Sequence, residues 1–147
     1  MKILAIDVGT GTQDILLFDS TRAVENAVQL VMPAPTVIAA QRVRNATAAR
    51  SSVVFTGVNM GGGPVTGALS DHIAAGLSAF ATSSAAVTFD DDLDVVRRMG
   101  VVIVSQEEAD RLPAAPVRLA DVDLLMVQRA LEAFEVEAEW DLSLIHI

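Results

Sequence analysis

Asp7, Gly9, Thr10, Gly11, Thr12, Asp14 and Asp19 fall within one short stretch, AIDVGTGTQDILLFD, whose order suits capture of a polyanion together with a metal ion. A triphosphate needs several N–H donors close by and no bulky side chains in the way. A glycine-containing turn between two rigid strands supplies them, because successive amides then point into one concavity. Thr10 and Thr12 add hydroxyl donors. Asp7 closes the first apolar run at the mouth of the turn, where its carboxylate would hold Mg2+ directly or through water. A buried strand ending in a charge also calls for a cation or donors facing that charge. Asp7 is therefore the candidate catalytic and metal-binding residue. Gly9, Thr10, Gly11 and Thr12 are candidate phosphate contacts, and Asp14 is a further candidate cofactor-binding residue. The bland alternative is a hairpin whose glycines serve turn geometry alone.

The elements that position these residues follow from apolar runs. Ile3–Asp7 and Ile15–Phe18 read as two strands buried on both faces, joined by a turn in which glycine supplies a positive φ. A third strand is expected at Ala27–Met32, stopped by Pro33 and Pro35. Thr36 would cap a helix running to about Ala49. Beyond it the chain alternates. Strands are expected at Val53–Thr56, Leu77–Ala81 and Val101–Val104. Helices are expected over Val65–Ala75 with Gly76 as stop, from Asp90 to Gly100, from Ser105, and from Asp121 to about Phe134. Three strands followed by strand–helix alternation predict an α/β fold: a mixed sheet with an N-terminal β-hairpin and helices on both faces.

AIDVGTGTQDILLFD resembles the first phosphate motif of the superfamily that joins sugar kinases, Hsp70 chaperones and actin. Asp7 and Asp19 fit its two acidic positions, twelve residues apart. The resemblance implies a ribonuclease-H-like (actin-like ATPase) fold, with Gly9–Thr12 around the β- and γ-phosphates of ATP and Asp7 near Mg2+. Several of those families place a basic residue on the second strand, where this chain has Asp14. A carboxylate there repels phosphate, which is a departure from efficient phosphoryl transfer and fits a different ligand or a second metal ion. A longer resemblance, carried by Thr56–Leu77 and Met99–Ala109, is to an uncharacterised prokaryotic family, some members of which are labelled pyruvate formate-lyase activating enzyme-like. Iron–sulfur chemistry of that kind depends on cysteine ligands, and the chain has no cysteine. Members of that family are longer. This resemblance makes residues 1–141 a single N-terminal domain whose C-terminal companion is missing. The final LSLIHI, residues 142–147, resembles a non-native tail.

Other features rank lower. Gly61, Gly62 and Gly63 precede Pro64 and a helix, and a helix N-terminus attracts anions. The alternative is a strand-to-helix turn with proline in the first helical turn. Asp71 and His72, adjacent on a helix, point to different faces and read as surface or structural residues. Asp90, Asp91, Asp92 and Asp94 read as helix capping. No serine has a histidine base at a recognisable spacing.

A formal charge of −9 argues against nucleic-acid partners. No apolar run is long enough to span a bilayer, so membrane partners are not expected and a cytoplasmic location is. Two functions stay open. One is the nucleotide-binding part of an ATP-dependent phosphotransferase or ATPase, acting on a nucleotide or other phosphorylated small molecule. The other is a non-catalytic ligand-binding or regulatory module that retains the hairpin.

Overall fold

A computed structural model describes residues 1–60 and 62–147. In chain order the strands are β1 (Lys2–Val8), β2 (Thr12–Asp19), β3 (Val28–Pro33), β4 (Val53–Gly57), β5 (Ala79–Thr82), β6 (Val101–Val104), β7 (Ala115–Leu119) and β8 (Leu142–His146). The helices are α1 (Pro35–Ala48), α2 (Gly63–Ala74), α3 (Ser83–Ala86), α4 (Leu93–Arg98), α5 (Gln106–Ala109) and α6 (Leu124–Ala133). They form a mixed α/β structure with two sheets and helices on both sides. The chain divides into one unit of Met1–Ala34 with Val122–Ile147 and another of Pro35–Asp121.

The first unit carries a sheet of order β3-β2-β1-β8. β1 and β2 form the expected antiparallel hairpin, running from Lys2 opposite Asp19 to Val8 opposite Gln13. β3 continues the meander and β8 lies parallel to β1. Strand side chains alternate between faces. Leu4, Ile6, Ile15 and Leu17 are buried with Val127 and Leu131 of α6, whose spacing of four residues presents one apolar stripe. On the opposite face Ala5 and Leu16 are half-buried, while Asp7 and Asp14 are exposed. The hairpin is therefore buried on one face, not both, an arrangement antiparallel sheets permit. Leu142–His146, expected as a tail, pairs with β1 as an edge strand whose Leu142, Leu144 and Ile145 stay largely exposed. Helix α6 starts later than expected. Its cap is Asp123, which accepts from the Met126 amide.

The second unit carries an all-parallel sheet of order β6-β5-β4-β7. Its core is aliphatic, with Phe55 fully buried and edge-on to Phe89 at 5.1 Å. Gly76 and Gly100 end α2 and α4 as expected, with φ of +76° and +99°. Asp92 caps α4. Ser105 caps α5 in a reciprocal box with Glu108, and the Ser105 backbone N–H and then its hydroxyl hold the Glu108 carboxyl below its ordinary range. Three points differ from expectation. Thr36 lies inside α1 and its buried Oγ1 has no hydrogen-bond partner, so it is no cap. The short α3 was not foreseen. Nor was β7, because Pro113 and Pro116 argue against a strand; β7 is an edge, where the missing N–H of Pro116 costs little.

Candidate functional site

The hairpin places Asp7 and Asp14 as direct cross-strand partners. Both side chains therefore stand on the open face of the first sheet, one residue inside the Val8–Gln13 pair that leads into the turn. Like charges directly opposed on a sheet repel, and no Lys or Arg pairs with either carboxylate among the described residues. Asp7 is not the buried strand end that its sequence suggests. Its side chain is 70% exposed, and its Oδ1 lies 2.8 Å from Nδ1 of His146 on β8. Burial therefore does not force a cation onto Asp7; the opposed carboxylates are the stronger electrostatic reason. The pair lies in a groove of about 510 Å3 that also takes in Ala5, Leu16, Val31 and Leu144.

In the turn, the Gly9 amide donates to the Thr12 carbonyl at 2.8 Å, and the Gly11 carbonyl accepts from the Ala34 amide at 3.0 Å. The amides of Thr10 and Gly11 make no hydrogen bond among the described residues. All four turn residues are exposed. The expected positive φ is absent at Gly9 and Gly11, so turn geometry does not by itself explain the glycines. A Cβ on Gly9 would sit 3.3 Å from the Thr12 carbonyl, whereas a Cβ on Gly11 would meet nothing within 4 Å. One amide of the turn is thus spent on the turn itself, and two make no hydrogen bond among the described residues. Beside the turn, Gln13 is buried, and its amide nitrogen donates to the Pro33 carbonyl while its oxygen has no partner. Sequence reasoning gave Gln13 no role, and its type and spacing carry no signal for one.

Two exposed carboxylates on one face suit Mg2+, which takes one or two such groups beside phosphate oxygens and water. Two free amides with the Thr10 and Thr12 hydroxyls suit phosphate. No group of three or more acidic, His or Cys side chains that would hold a metal ion without a ligand's help occurs among the described residues.

The glycine-rich loop belongs to the second unit. Gly61 lies outside the described residues. Gly62 has a packing reason, since a Cβ there would fall 2.4 Å from the Thr88 carbonyl. Gly63 opens α2, faces open space and is followed by Pro64 in the first helical turn. The loop is tied down around them: the Asn59 side chain donates to the Ala120 carbonyl, and the Met60 amide to Asp121 at 2.6 Å. Asp121 was expected to open a helix; it anchors this loop instead. His72 is fully buried, 2.7 Å from the Thr47 hydroxyl through Nδ1, and its Nε2 donates to the Ser78 carbonyl at 3.2 Å. Its role is structural. Asp90, Asp92 and Asp94 serve turn, cap and ion pair.

Residues 60–145 match the sequence profile of a family described as "Putative pyruvate format-lyase activating enzyme (DUF1786)". No curated protein matches the chain. The chain belongs to that family.

Proposed function

We propose that the β1–β2 hairpin binds the phosphates of a nucleotide through Mg2+, as part of an ATP-dependent phosphotransferase or ATPase with a ribonuclease-H-like, actin-like fold. The observation that carries the proposal is the direct opposition of Asp7 and Asp14 on an open sheet face, beside a turn with two free amides. A divalent ion held by Asp7 and Asp14 would offset their repulsion and would bring positive charge beside the unbonded turn amides. Mg2+, when bound, supplies charge neutralisation on the phosphate oxygens. The chain's own part is positioning. Asp7 and Asp14 would hold the ion, the Thr10 and Gly11 amides would orient the phosphate oxygens, and the threonine hydroxyls would add donors. Asp14 thereby changes from a residue that repels phosphate to one that shares the ion.

The family's description names a different activity. The 147 residues contain no cysteine, so they supply none of the thiolate ligands that an iron–sulfur cluster of that kind needs.

Calorimetry with Mg-ATP on the chain and on Asp7→Asn and Asp14→Asn tests the proposal. Each variant is expected to weaken binding about tenfold or more, as loss of a charged partner does. Binding that depends on Mg2+ in the parent yet survives both changes would remove the carboxylate pair from the site. ATP binding without turnover in any acceptor screen would favour the non-catalytic module, which the exposed Asp7 with His146 as its partner also suits.

A further inference from the structure

Resting on the phosphate reading of the β1–β2 hairpin, we propose that Gln13 is the positioning residue of that site. Its side chain ties the turn to the end of β3 and so holds the Thr10 and Gly11 amides in place for a ligand.

Gln13 stands where the strand pattern calls for an apolar residue. Burial alternates along β2, and the buried positions are Gln13, Ile15 and Leu17. The last two pack with Leu4 and Ile6 in the aliphatic core, whereas Gln13 is 5% exposed and polar. Its Nε2 donates to the Pro33 carbonyl at 3.0 Å. A carbonyl only accepts, so this bond fixes which way the amide group lies. The Oε1 atom is thereby left with no hydrogen-bond partner. A buried acceptor without a donor destabilises a fold, and an apolar side chain of the same length would avoid that cost. Packing alone therefore does not account for a glutamine here.

What the single bond accomplishes is local. Pro33 ends β3 and Ala34 follows it. The Ala34 amide donates to the Gly11 carbonyl at 3.0 Å, and the Gly9 amide closes the turn on the Thr12 carbonyl at 2.8 Å. Hydrogen bonds of opposite sense thus join Gly11 and Gln13 to Ala34 and Pro33. The Thr10 and Gly11 amides, which make no hydrogen bond among the described residues, lie within this frame. The frame matters because Gly9 and Gly11 give up more backbone freedom on being fixed than other residues would. A Cβ on Gly11 would meet nothing within 4 Å, so no close packing holds that residue. A ligand that needs both amides at once gains from a turn already fixed in place. Gln13 lies on the buried side of β2, away from Asp14, and acts through the turn.

Gln13→Met keeps the side chain's length, removes the unpartnered acceptor and deletes the bond to Pro33, an exposed residue. In the full chain its urea unfolding midpoint should match or exceed the parent's. Calorimetry with Mg-ATP should nevertheless show about tenfold weaker binding, as for a turn that is competent about a tenth of the time. Backbone amide relaxation of the unliganded chain should show order parameters at Thr10 and Gly11 falling from about 0.85 to below about 0.6, with Val8 and Ile15 unchanged. Gln13→Leu should behave alike, which separates the lost donor from any misfit of one replacement. An ordered turn with parent-like affinity in either variant overturns the proposal. So does weaker binding that comes only with an equal fall in stability, the mark of a residue that merely supports the fold. A parent that binds no Mg-ATP overturns the phosphate reading instead, and the relaxation data then still decide whether Gln13 holds the turn.

Discussion

The two units use one aliphatic alphabet for opposite solutions. In the first, an antiparallel meander buries Leu4, Ile6, Ile15 and Leu17 on one face and leaves Asp7 and Asp14 in water on the other. In the second, an all-parallel sheet requires crossover helices, and every residue of β5 except the half-buried Phe80 is buried. Parallel sheets are covered on both faces because their connections must pack back onto them. A sheet with one open face can offer side chains to a ligand, whereas a covered sheet can offer only its strand ends and edges. The candidate site of the first unit is accordingly on a face.

This contrast can be broken at its strongest point first. Phe55→Ala should cost about 3–5 kcal/mol, since it empties a fully buried position and ends the contact with Phe89. Denaturant titration reads it, and a loss under 1 kcal/mol would mean the second unit's core is loose. His72→Leu comes next, at about 1–2 kcal/mol, because the buried ring's hydrogen bonds to the Thr47 hydroxyl and the Ser78 carbonyl are lost, although that carbonyl keeps the Val53 amide. Caps sharpen the comparison between units. Asp123→Ala in the first and Asp92→Ala in the second should each cost about 1 kcal/mol, and unequal losses would show one helix start to be held by packing instead. On the open face, Val31→Thr should change stability by less than about 0.5 kcal/mol; a larger loss would show that face to be covered.

The smallest expected effect is a pH dependence. Ser105 lowers the folded-state Glu108 carboxyl below its ordinary 4.5. A depressed carboxyl contributes stability that is present above 4.5 and lost as pH falls through the folded value. Glu108→Gln should flatten that part of the acid-stability curve while the neutral-pH curve shifts little. An unchanged acid limb in the variant would show that the reciprocal box is open in solution.

Much of the architecture was legible from local signals. Val101–Val104 was expected with its observed bounds, because a β-branched run between Gly100 and a capping Ser105 admits few alternatives. The hairpin, the stops at Gly76 and Gly100 and the capping role of the Asp90–Asp94 cluster were likewise readable. β7 was not, because proline reports on hydrogen bonding only once it is known whether a strand is central or at an edge. Thr36 was misread for a related reason. A threonine before an apolar run signals a cap only if the helix starts after it, and here Pro35 already occupies the first turn.

For the candidate site the division is sharper. The sequence by itself determined that two acids flank a Gly-Thr turn, that no thiol is present, and that strands must lead into and out of the bend. Only the tertiary structure decided that Asp7 and Asp14 are exact cross-strand neighbours, that one of the cradle's amides is consumed by Thr12, and that His72 is interior. Spacing fixes which residues can share a strand. Register, face and partner depend on what packs against the sheet, and a one-residue slip in pairing would have put Asp7 and Asp14 on opposite sides.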